Sequence, residues 1–263
     1  MVNHIAFPGL SIGPFAVAES FQIFGFTIHW YGVIIMLGIV AAYLFCSRVA
    51  PYYGLTKENA LDIIIFGLPT AIVCARIYYV VFEWESYKDS WTDIFKIWEG
   101  GLAIYGGVIG ACISTCVYCK VKKIPVLKAF DLGAFGLLLG QMIGRWGNFV
   151  NAEAYGAETM LPWRMHLLDL GIMVHPTFLY ESLWNLSIFL ILLWRRKKTT
   201  FDGEIFFSYI TFYGIGRFWI ESLRLDSLYL GNIRVSQFMA LICVFVGISV
   251  IVYCKKKKSL EQQ

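Results

Sequence analysis

The segment from Gly144 to Gly156 concentrates polar side chains in an otherwise apolar chain. Its guanidinium, two amides and carboxylate belong to Arg145, Asn148, Asn151 and Glu153. A hydrophobic core has no use for such a set, whereas arginine presents a planar fork of N–H donors that suits a phosphate. Glycine allows tight turns and close approach of the backbone to a ligand. We therefore interpret this segment as a phosphate-binding site whose glycines permit tight turns and close approach of the backbone.

A second polar cluster lies between Tyr213 and Arg224. It contains Tyr213, Arg217, Glu221 and Arg224 at successive intervals of four, four and three residues, which places them on one face of a helix. Glu221 is positioned to pair with Arg217 or Arg224 and to hold the guanidinium in place. Further polar positions stand out at Tyr31, Arg76, His175, Tyr180 and Glu181.

Helices that face lipid must position these side chains. With 58% hydrophobic and 15% charged residues and a mean hydropathy of +0.64, the chain has too little polar surface for a water-soluble protein. Its apolar residues form blocks of roughly 20 residues, the length that crosses a bilayer, and the blocks lack the alternation of a β-barrel. The sequence predicts an all-α integral membrane protein with about seven transmembrane helices. The predicted single domain, residues 1–263, has spans at 28–49, 60–82, 102–118, 129–143, 176–194, 204–220 and 236–253.

The distribution of basic residues predicts the orientation of these spans. Lysine and arginine accumulate after every odd-numbered block, with the strongest clusters at Lys120–Lys123, Arg195–Lys198 and Lys255–Lys258. Because such clusters stay on the cytoplasmic side, we expect the N-terminus outside and the C-terminus in the cytoplasm. Residues 1–26 lack the pattern of a removable signal peptide. Arg145 and Arg217 then lie at the outer ends of their spans, where an unpaired charge is costly unless it serves a function.

Two other readings of the charged and sulfur-containing residues are weaker. The basic runs are typical of topology signals and solvated loops, and a net charge of +4 indicates no nucleic acid and no acidic partner beyond the membrane surface. Cys112, Cys116 and Cys119 share one helical face, but no histidine or carboxylate lies near them in the sequence. Small thiols are common in packed apolar helices, so no metal site is predicted.

Three other classes of membrane protein fit the sequence less well. A transporter usually shows an inverted repeat and broken helices at mid-membrane, and the sequence shows neither feature. A serine-type intramembrane protease needs a nucleophile with a base, yet no serine has a glycine-flanked turn and a plausible histidine partner. A non-catalytic scaffold would need no polar cluster at the outer ends of its helices.

The polar segment carries a resemblance to a known family. Residues Gly144–Gly156 match the pattern Gly-Arg-x-Gly-Asn-Phe-x-Asn-x-Glu-x-x-Gly, and this segment resembles the signature of the bacterial prolipoprotein diacylglyceryl transferases. Other similar stretches follow the family's order along nearly the whole chain. They are Trp30-Tyr31-Gly32, Gly100-Gly101 to Gly106-Gly107, His175-Pro176-Thr177 with Tyr180-Glu181, and Tyr213–Arg224.

The resemblance implies a reaction, partners and a location. The diacylglyceryl group of phosphatidylglycerol would be transferred to the lipobox cysteine of a prolipoprotein signal peptide, forming a thioether and releasing glycerol phosphate, as the first step of bacterial lipoprotein maturation. The enzyme would be a multi-pass protein of the cytoplasmic membrane, surrounded by membrane lipid, with its active site toward the outer face. No cofactor is expected, because a phosphate ester is already an activated leaving group.

The resemblance and the chemistry together suggest roles for individual residues. Arg145 and Arg217 are predicted to hold the phosphate, Asn148 and Asn151 to orient the glycerol headgroup, and Glu153 to fix the loop. The other predicted substrate-binding residues are Tyr31, Gly156, Tyr213, Glu221 and Arg224.

Tyr105 is predicted to be catalytic, and it stands where the family often has histidine. Two roles are open for it. A phenolate stabilised by arginines would accept the thiol proton. Alternatively, the hydroxyl would donate a hydrogen bond to the phosphate while water or Glu221 takes the proton.

Overall fold

The computed structural model of the protein describes residues 1–88, 90–231 and 233–261 and is mostly helical. Its helices are α1 (Trp30–Val49), α2 (Lys57–Phe82), α3 (Trp84–Tyr87), α4 (Ile104–Lys122), α5 (Val126–Val150), α6 (Thr177–Arg195), α7 (Glu204–Leu223) and α8 (Val235–Glu261). Its strands are β1 (Val2–Phe7), β2 (Ile12–Ala18), β3 (Ser20–Ile23), β4 (Phe26–His29), β5 (Met165–Leu167), β6 (Ile172–Val174), β7 (Tyr229–Leu230) and β8 (Ile233–Arg234).

In the described part of the chain, six helices are long and apolar enough to cross a membrane, which confirms the prediction of a mostly helical, multi-span membrane protein. These candidate spans are Trp30–Tyr53, Lys57–Phe82, Ile104–Lys122, Val126–Val150, Thr177–Lys198 and Val235–Glu261. The seventh predicted span corresponds to α7, which has 20 residues. Helix α7 is not among the six, and it carries Arg217 and Glu221 in its last two turns.

The ends of two helices lie well beyond the predicted spans. Helix α5 continues to Val150 rather than residue 143, so Gly144 and Gly147 lie within a helix, where they permit close approach of Ile35 and Tyr31 rather than a tight turn. The turn follows the helix instead, where Ala152 and Ala154 adopt φ values of 49° and 56°. Helix α8 likewise extends to Glu261 rather than residue 253. The apolar block marks only the part of a helix that faces lipid, and the helix continues into its polar flank.

Short strands outside the helices add small sheets to this mostly helical fold. Strands β1, β2, β5 and β6 form an antiparallel sheet in the order β2-β1-β5-β6. Ile5, Met165, Leu167 and Val174 are buried against Phe178 in α6, and Phe149 at the end of α5 packs on this core. The sheet thereby connects the start of the chain to the ends of α5 and α6, the region that contains the polar signature segment.

The described chain divides into two compact units. The first unit comprises Met1–Ala42 and Gly133–Gln263, and the second comprises Tyr43–Leu132. In the first unit, α7 packs along both α6 and α8, whereas in the second unit α2 packs along α4. The prediction of a single domain over residues 1–263 remains a prediction.

Arg76 has a structural role inside the second unit. Its guanidinium donates to the carbonyl oxygens of Asp93, Ile94, Gly100 and Gly101 at distances between 2.6 and 2.9 Å. These bonds account for a charge that is only 7% exposed within α2. Arg76 therefore holds the connection between α3 and α4 against its own helix.

The close packing of α2 on α4 gives a test of the second unit. A Cβ atom added at Gly110 would lie 2.7 Å from Cβ of Cys74 and 2.8 Å from the carbonyl oxygen of Thr70. We expect Gly110→Ala to destabilise the protein by about 1–3 kcal/mol, measured as a lower melting temperature in detergent. Gly67→Ala is the matched control, because a Cβ there meets nothing within 4 Å and alanine favours helix. Equal melting temperatures for the two variants would contradict this packing.

Candidate active site

Three arginines converge on one buried carboxylate in the first unit. Glu181, on α6, is only 4% exposed. Its Oε2 lies 2.5 Å from Nη2 of Arg145, while its Oε1 lies 2.8 Å from Nη1 of Arg217 and 3.5 Å from Nη1 of Arg224. We call these four residues the arginine cluster. The arrangement brings together α5, α6 and the end of α7, and so joins the two polar segments recognised in the sequence.

A second carboxylate supports the cluster from within α7. Glu221 is 1% exposed, and its Oε2 lies 2.6 Å from Nη2 of Arg217, the pairing that the four-residue spacing predicts. At the edge of the cluster, Asp226 accepts two hydrogen bonds from Arg224, at 2.9 and 2.6 Å. Hydrogen bonding from this guanidinium holds the pKa of the Asp226 carboxyl below its usual value. The buried part of the site therefore contains three guanidinium groups and two carboxylates, which is a formal excess of one positive charge.

Asn148 orients Arg145 on the side away from Glu181. The Oδ1 atom of Asn148 accepts from Nη1 of Arg145 at 3.3 Å, and its Nδ2 donates to Oε1 of Glu153 at 2.9 Å. Asn148 is therefore a positioning residue for the arginine, and Glu153 holds Asn148. Among the described residues, Nε of Arg145 has no hydrogen-bond acceptor. That N–H group is available to an anionic ligand.

Close backbone contacts fix the ends of the three helices. Gly156 donates its N–H to the carbonyl of His175 at 3.0 Å and forms a bridge with Arg224. A Cβ at Gly156 would lie 2.8 Å from Cβ of His175 and 3.0 Å from the carbonyl oxygen of Leu223. No larger residue fits this crossing, which connects the signature segment to the start of α6 and the end of α7. This explains the glycine as a positioning residue, and its predicted contact with substrate remains a prediction.

The structure also places Tyr31 beside the signature segment. A Cβ at Gly147 would lie 2.7 Å from Cδ2 of Tyr31, so the tyrosine ring packs directly on the backbone of α5. Tyr213 lies one turn before Arg217 on α7, and both line a small cleft with Glu181. Asn151 follows α5 directly and is half-buried. The structure thus brings most of the predicted site residues of the first unit together around the ends of α5 and α7, and the role of Asn151 remains a prediction.

Two groups singled out in the sequence lie in the second unit. Tyr105 is the second residue of α4 in the second unit and is half-buried. Cys112 and Cys116 are half-buried on the same helix, and Cys119 is buried. In the described residues, no cluster of histidine, cysteine and carboxylate side chains has the arrangement of a metal site.

Glu181 lies at the centre of the arginine cluster, although the sequence singled it out only as one of several polar positions. A usable signal was present, because Glu181 is a carboxylate inside the predicted apolar span 176–194. A charge at such a position requires a partner or a function.

Comparison with known proteins identifies the family. The family model "Prolipoprotein diacylglyceryl transferase" matches residues 18–253. Phosphatidylglycerol–prolipoprotein diacylglyceryl transferases of Clostridioides difficile and Finegoldia magna are 46% and 47% identical to the chain, over 90% and 92% of its length and 95% and 96% of theirs. The relative from Lysinibacillus sphaericus is 43% identical over 94% of both chains. Together with the arginine cluster, to which the signature segment contributes Arg145, these similarities show that the chain belongs to the prolipoprotein diacylglyceryl transferase family.

Proposed function

We propose that the protein transfers the diacylglyceryl group of phosphatidylglycerol to the lipobox cysteine of prolipoproteins. The observation that carries the proposal is the arginine cluster, in which Glu181 holds three guanidinium groups close together. Such a set is suited to a phosphate, because arginine offers paired N–H donors and stays charged at every relevant pH. The family to which the chain belongs and the names of its relatives support the same activity.

The proposed reaction is a displacement at carbon. The cysteine thiol first loses its proton to water or to a carboxylate such as Glu221, because the thiolate is the nucleophile. Its sulfur then bonds to the glyceryl carbon that carries the phosphate. The bond between that carbon and the phosphate oxygen breaks, and its electron pair leaves with glycerol phosphate. The products are a diacylglyceryl thioether and a phosphate monoester, and no oxidant, reductant or cofactor enters the balance.

The arginines assist the step in which charge develops on the leaving phosphate. Arg145 and Arg217 are already held by Glu181, Glu221 and Asn148, so little reorganisation is needed when substrate binds. Donors fixed in this way in a site that excludes water stabilise a transition state more strongly than donors in water. Tyr31, Asn151, Tyr213 and Arg224 remain proposed substrate contacts around this clamp.

A direct assay tests the proposal. Purified protein in detergent, supplied with phosphatidylglycerol and a lipobox peptide, should increase the peptide mass by one diacylglyceryl group. The matched peptide with serine in place of cysteine should not change, because it lacks the thiol. If the cysteine peptide stays unmodified in the presence of folded protein and phosphatidylglycerol, the proposed function is contradicted.

We also propose a topology of seven spans in the cytoplasmic membrane, with the site toward the outer face. The basic clusters after α4 and α6 and at the end of α8 support this orientation. A reporter fused after Lys258 should therefore indicate the cytoplasm, and one inserted near Thr159 should indicate the outside. An inverted result at either position would contradict the seven-span topology.

For Tyr105 we propose the role of hydrogen-bond donor to the phosphate, because a tyrosine hydroxyl carries an O–H donor. Tyr105→Phe should then reduce activity moderately without changing the pH profile of kcat/KM, whereas Tyr105→His should retain activity. A severe loss in the phenylalanine variant, with the lower limb of the profile removed, would indicate a general base instead. Full activity in Tyr105→Phe would leave the ring with a packing role only.

A further inference from the structure

A second polar layer lies next to the arginine cluster. On each of the helices α5, α6 and α7, a neutral polar residue lies four positions along the helix from a charged residue of the arginine cluster. In each case the neutral residue is further from the loops that contain β5 to β8. The pairs are Arg145 and Gln141 on α5, Glu181 and Asn185 on α6, and Arg217 and Tyr213 on α7. Because residues four apart share a helix face, we call Gln141, Asn185 and Tyr213 the neutral layer.

Among the described residues, two side-chain carbonyl oxygens of the neutral layer accept no hydrogen bond. Asn185 is 2% exposed, and in the described part of the chain its Oδ1 has no hydrogen-bond partner. Oε1 of Gln141 is also buried and, within the same residues, unpartnered, although its Nε2 donates to the hydroxyl of Tyr209 at 2.9 Å. Buried polar atoms in proteins are nearly always paired. The orphaned oxygen of Asn185, a residue that also lines a cleft, therefore indicates that a ligand supplies the missing donor.

The cleft beside the arginine cluster defines what that ligand must be. Asn185 and Tyr213 line it together with Glu181, Trp184 and Arg217. The indole N–H of Trp184 is already donated to the carbonyl of Phe212 at 2.9 Å, and Glu181 is occupied by arginines. Among the described residues, the Tyr213 hydroxyl takes part in no hydrogen bond. The asparagine amide and the tyrosine hydroxyl are therefore the polar groups that remain for a ligand.

Hydroxyl groups match this pair better than other lipid groups do. A hydroxyl donates to the Asn185 carbonyl and also accepts from the Tyr213 hydroxyl or the Asn185 amide. An ester carbonyl only accepts, so it leaves the orphaned oxygens unpaired. An ammonium group only donates, and it would face the positive charge of Arg217. The chemistry of the cleft thus favours a neutral polyol attached to an anion.

We propose that Asn185, together with Tyr213, binds the hydroxyl groups of the glycerol headgroup and so sets the specificity for phosphatidylglycerol. This inference rests on the proposed function. With the phosphate at the arginine cluster, the attached glycerol extends toward the neutral layer, which lies one helical turn, or about 5.4 Å, further along. The headgroup would then bridge the two layers.

A pair of donor lipids isolates the contact. Phosphatidylpropanol carries the same phosphate and acyl chains as phosphatidylglycerol but lacks the headgroup hydroxyls. We expect Asn185→Leu to lower kcat/KM for phosphatidylglycerol by about tenfold to a hundredfold, because a site built to pair a hydroxyl loses that contact. The value for phosphatidylpropanol should stay nearly unchanged. Equal losses with both lipids, or no loss with phosphatidylglycerol, would overturn the inference.

A binding measurement separates this inference from the proposed reaction. In the unmodified protein, glycerol phosphate should raise the melting temperature more than propyl phosphate does, and Asn185→Leu should abolish the difference. Ser187→Ala is the matched control on α6, because the Ser187 hydroxyl only donates a hydrogen bond to the carbonyl of Leu183. This variant should preserve the difference in melting temperature between the two ligands. If the leucine variant does not fold, Asn185→Ala replaces it. Equal stabilisation by both ligands in the unmodified protein would overturn the inference, even if lipid transfer is observed.

Discussion

Arg145→Ala is expected to reduce kcat/KM for lipid transfer by at least a hundredfold to a thousandfold, the usual cost of one preorganised donor to a developing charge. Arg145 has the features of such a donor. One of its nitrogens lies 2.5 Å from Glu181, another donates to Asn148, and its Nε is free of acceptors among the described residues. Arg145→Lys should recover little activity, because an ammonium lacks the bidentate fork.

The matched control for this prediction is Arg164→Ala. Arg164 is bonded to the carbonyls of Met160 and Leu161 and to the sulfur of Met173, and it takes no part in the arginine cluster. Its loss should leave transfer near normal. If folded Arg145→Ala protein kept near-normal transfer, Arg145 would be a structural ion-pair partner and not a phosphate ligand.

Replacing Glu181 should have the second largest effect and should separate positioning from binding. Removing one partner from a buried ion pair costs about 3–5 kcal/mol, and here one carboxylate serves three guanidinium groups. Glu181→Ala should therefore lower the melting temperature and the activity together. In Glu181→Gln, which keeps the side-chain shape, kcat should fall while KM for phosphatidylglycerol does not rise. The KM should not rise because the site gains net positive charge, and kcat should fall because the arginines lose their alignment.

Glu158→Gln provides the control for a lost carboxylate, because Glu158 is exposed on the loop that follows the signature segment. It should change neither kcat nor KM. A Glu181→Gln variant with normal kcat would show that the arginines keep their positions without this carboxylate. A raised KM with unchanged kcat would mean that Glu181 contacts the substrate rather than positioning the arginines.

Most of the helical framework could be predicted from the sequence because the bilayer fixes the length of each apolar block. The signature segment was less predictable at the level of local structure. Gly144 and Gly147 were compatible with tight turns or with close approach of the backbone, and the structure shows close approach: both belong to α5, where their missing side chains admit Ile35 and Tyr31 of α1. The strands escaped prediction because they are short, and β1 is stabilised by β5, more than 150 residues away.

Most residues of the site could be predicted from the sequence, whereas most of the ion pairs between helices could not. The spacing in α7 indicated the bond between Glu221 and Arg217, because both residues lie on one helix. The central position of Glu181 depends on the approach of three helices that are distant in sequence. The same is true of Arg76, whose acceptors are carbonyl groups that every residue carries. Such contacts leave no residue-type pattern in a single sequence.

The most direct test of the proposed function is the stoichiometry of its two products. Purified protein, phosphatidylglycerol and a lipobox peptide should yield one glycerol phosphate for each thioether formed, with no phosphorus retained on the peptide. This ratio follows from cleavage between the glyceryl carbon and the phosphate oxygen, with the phosphate held by Arg145 and Arg217. A peptide that carries phosphorus, an acyl ester without glycerol phosphate release, or glycerol phosphate released without thioether would each contradict the account.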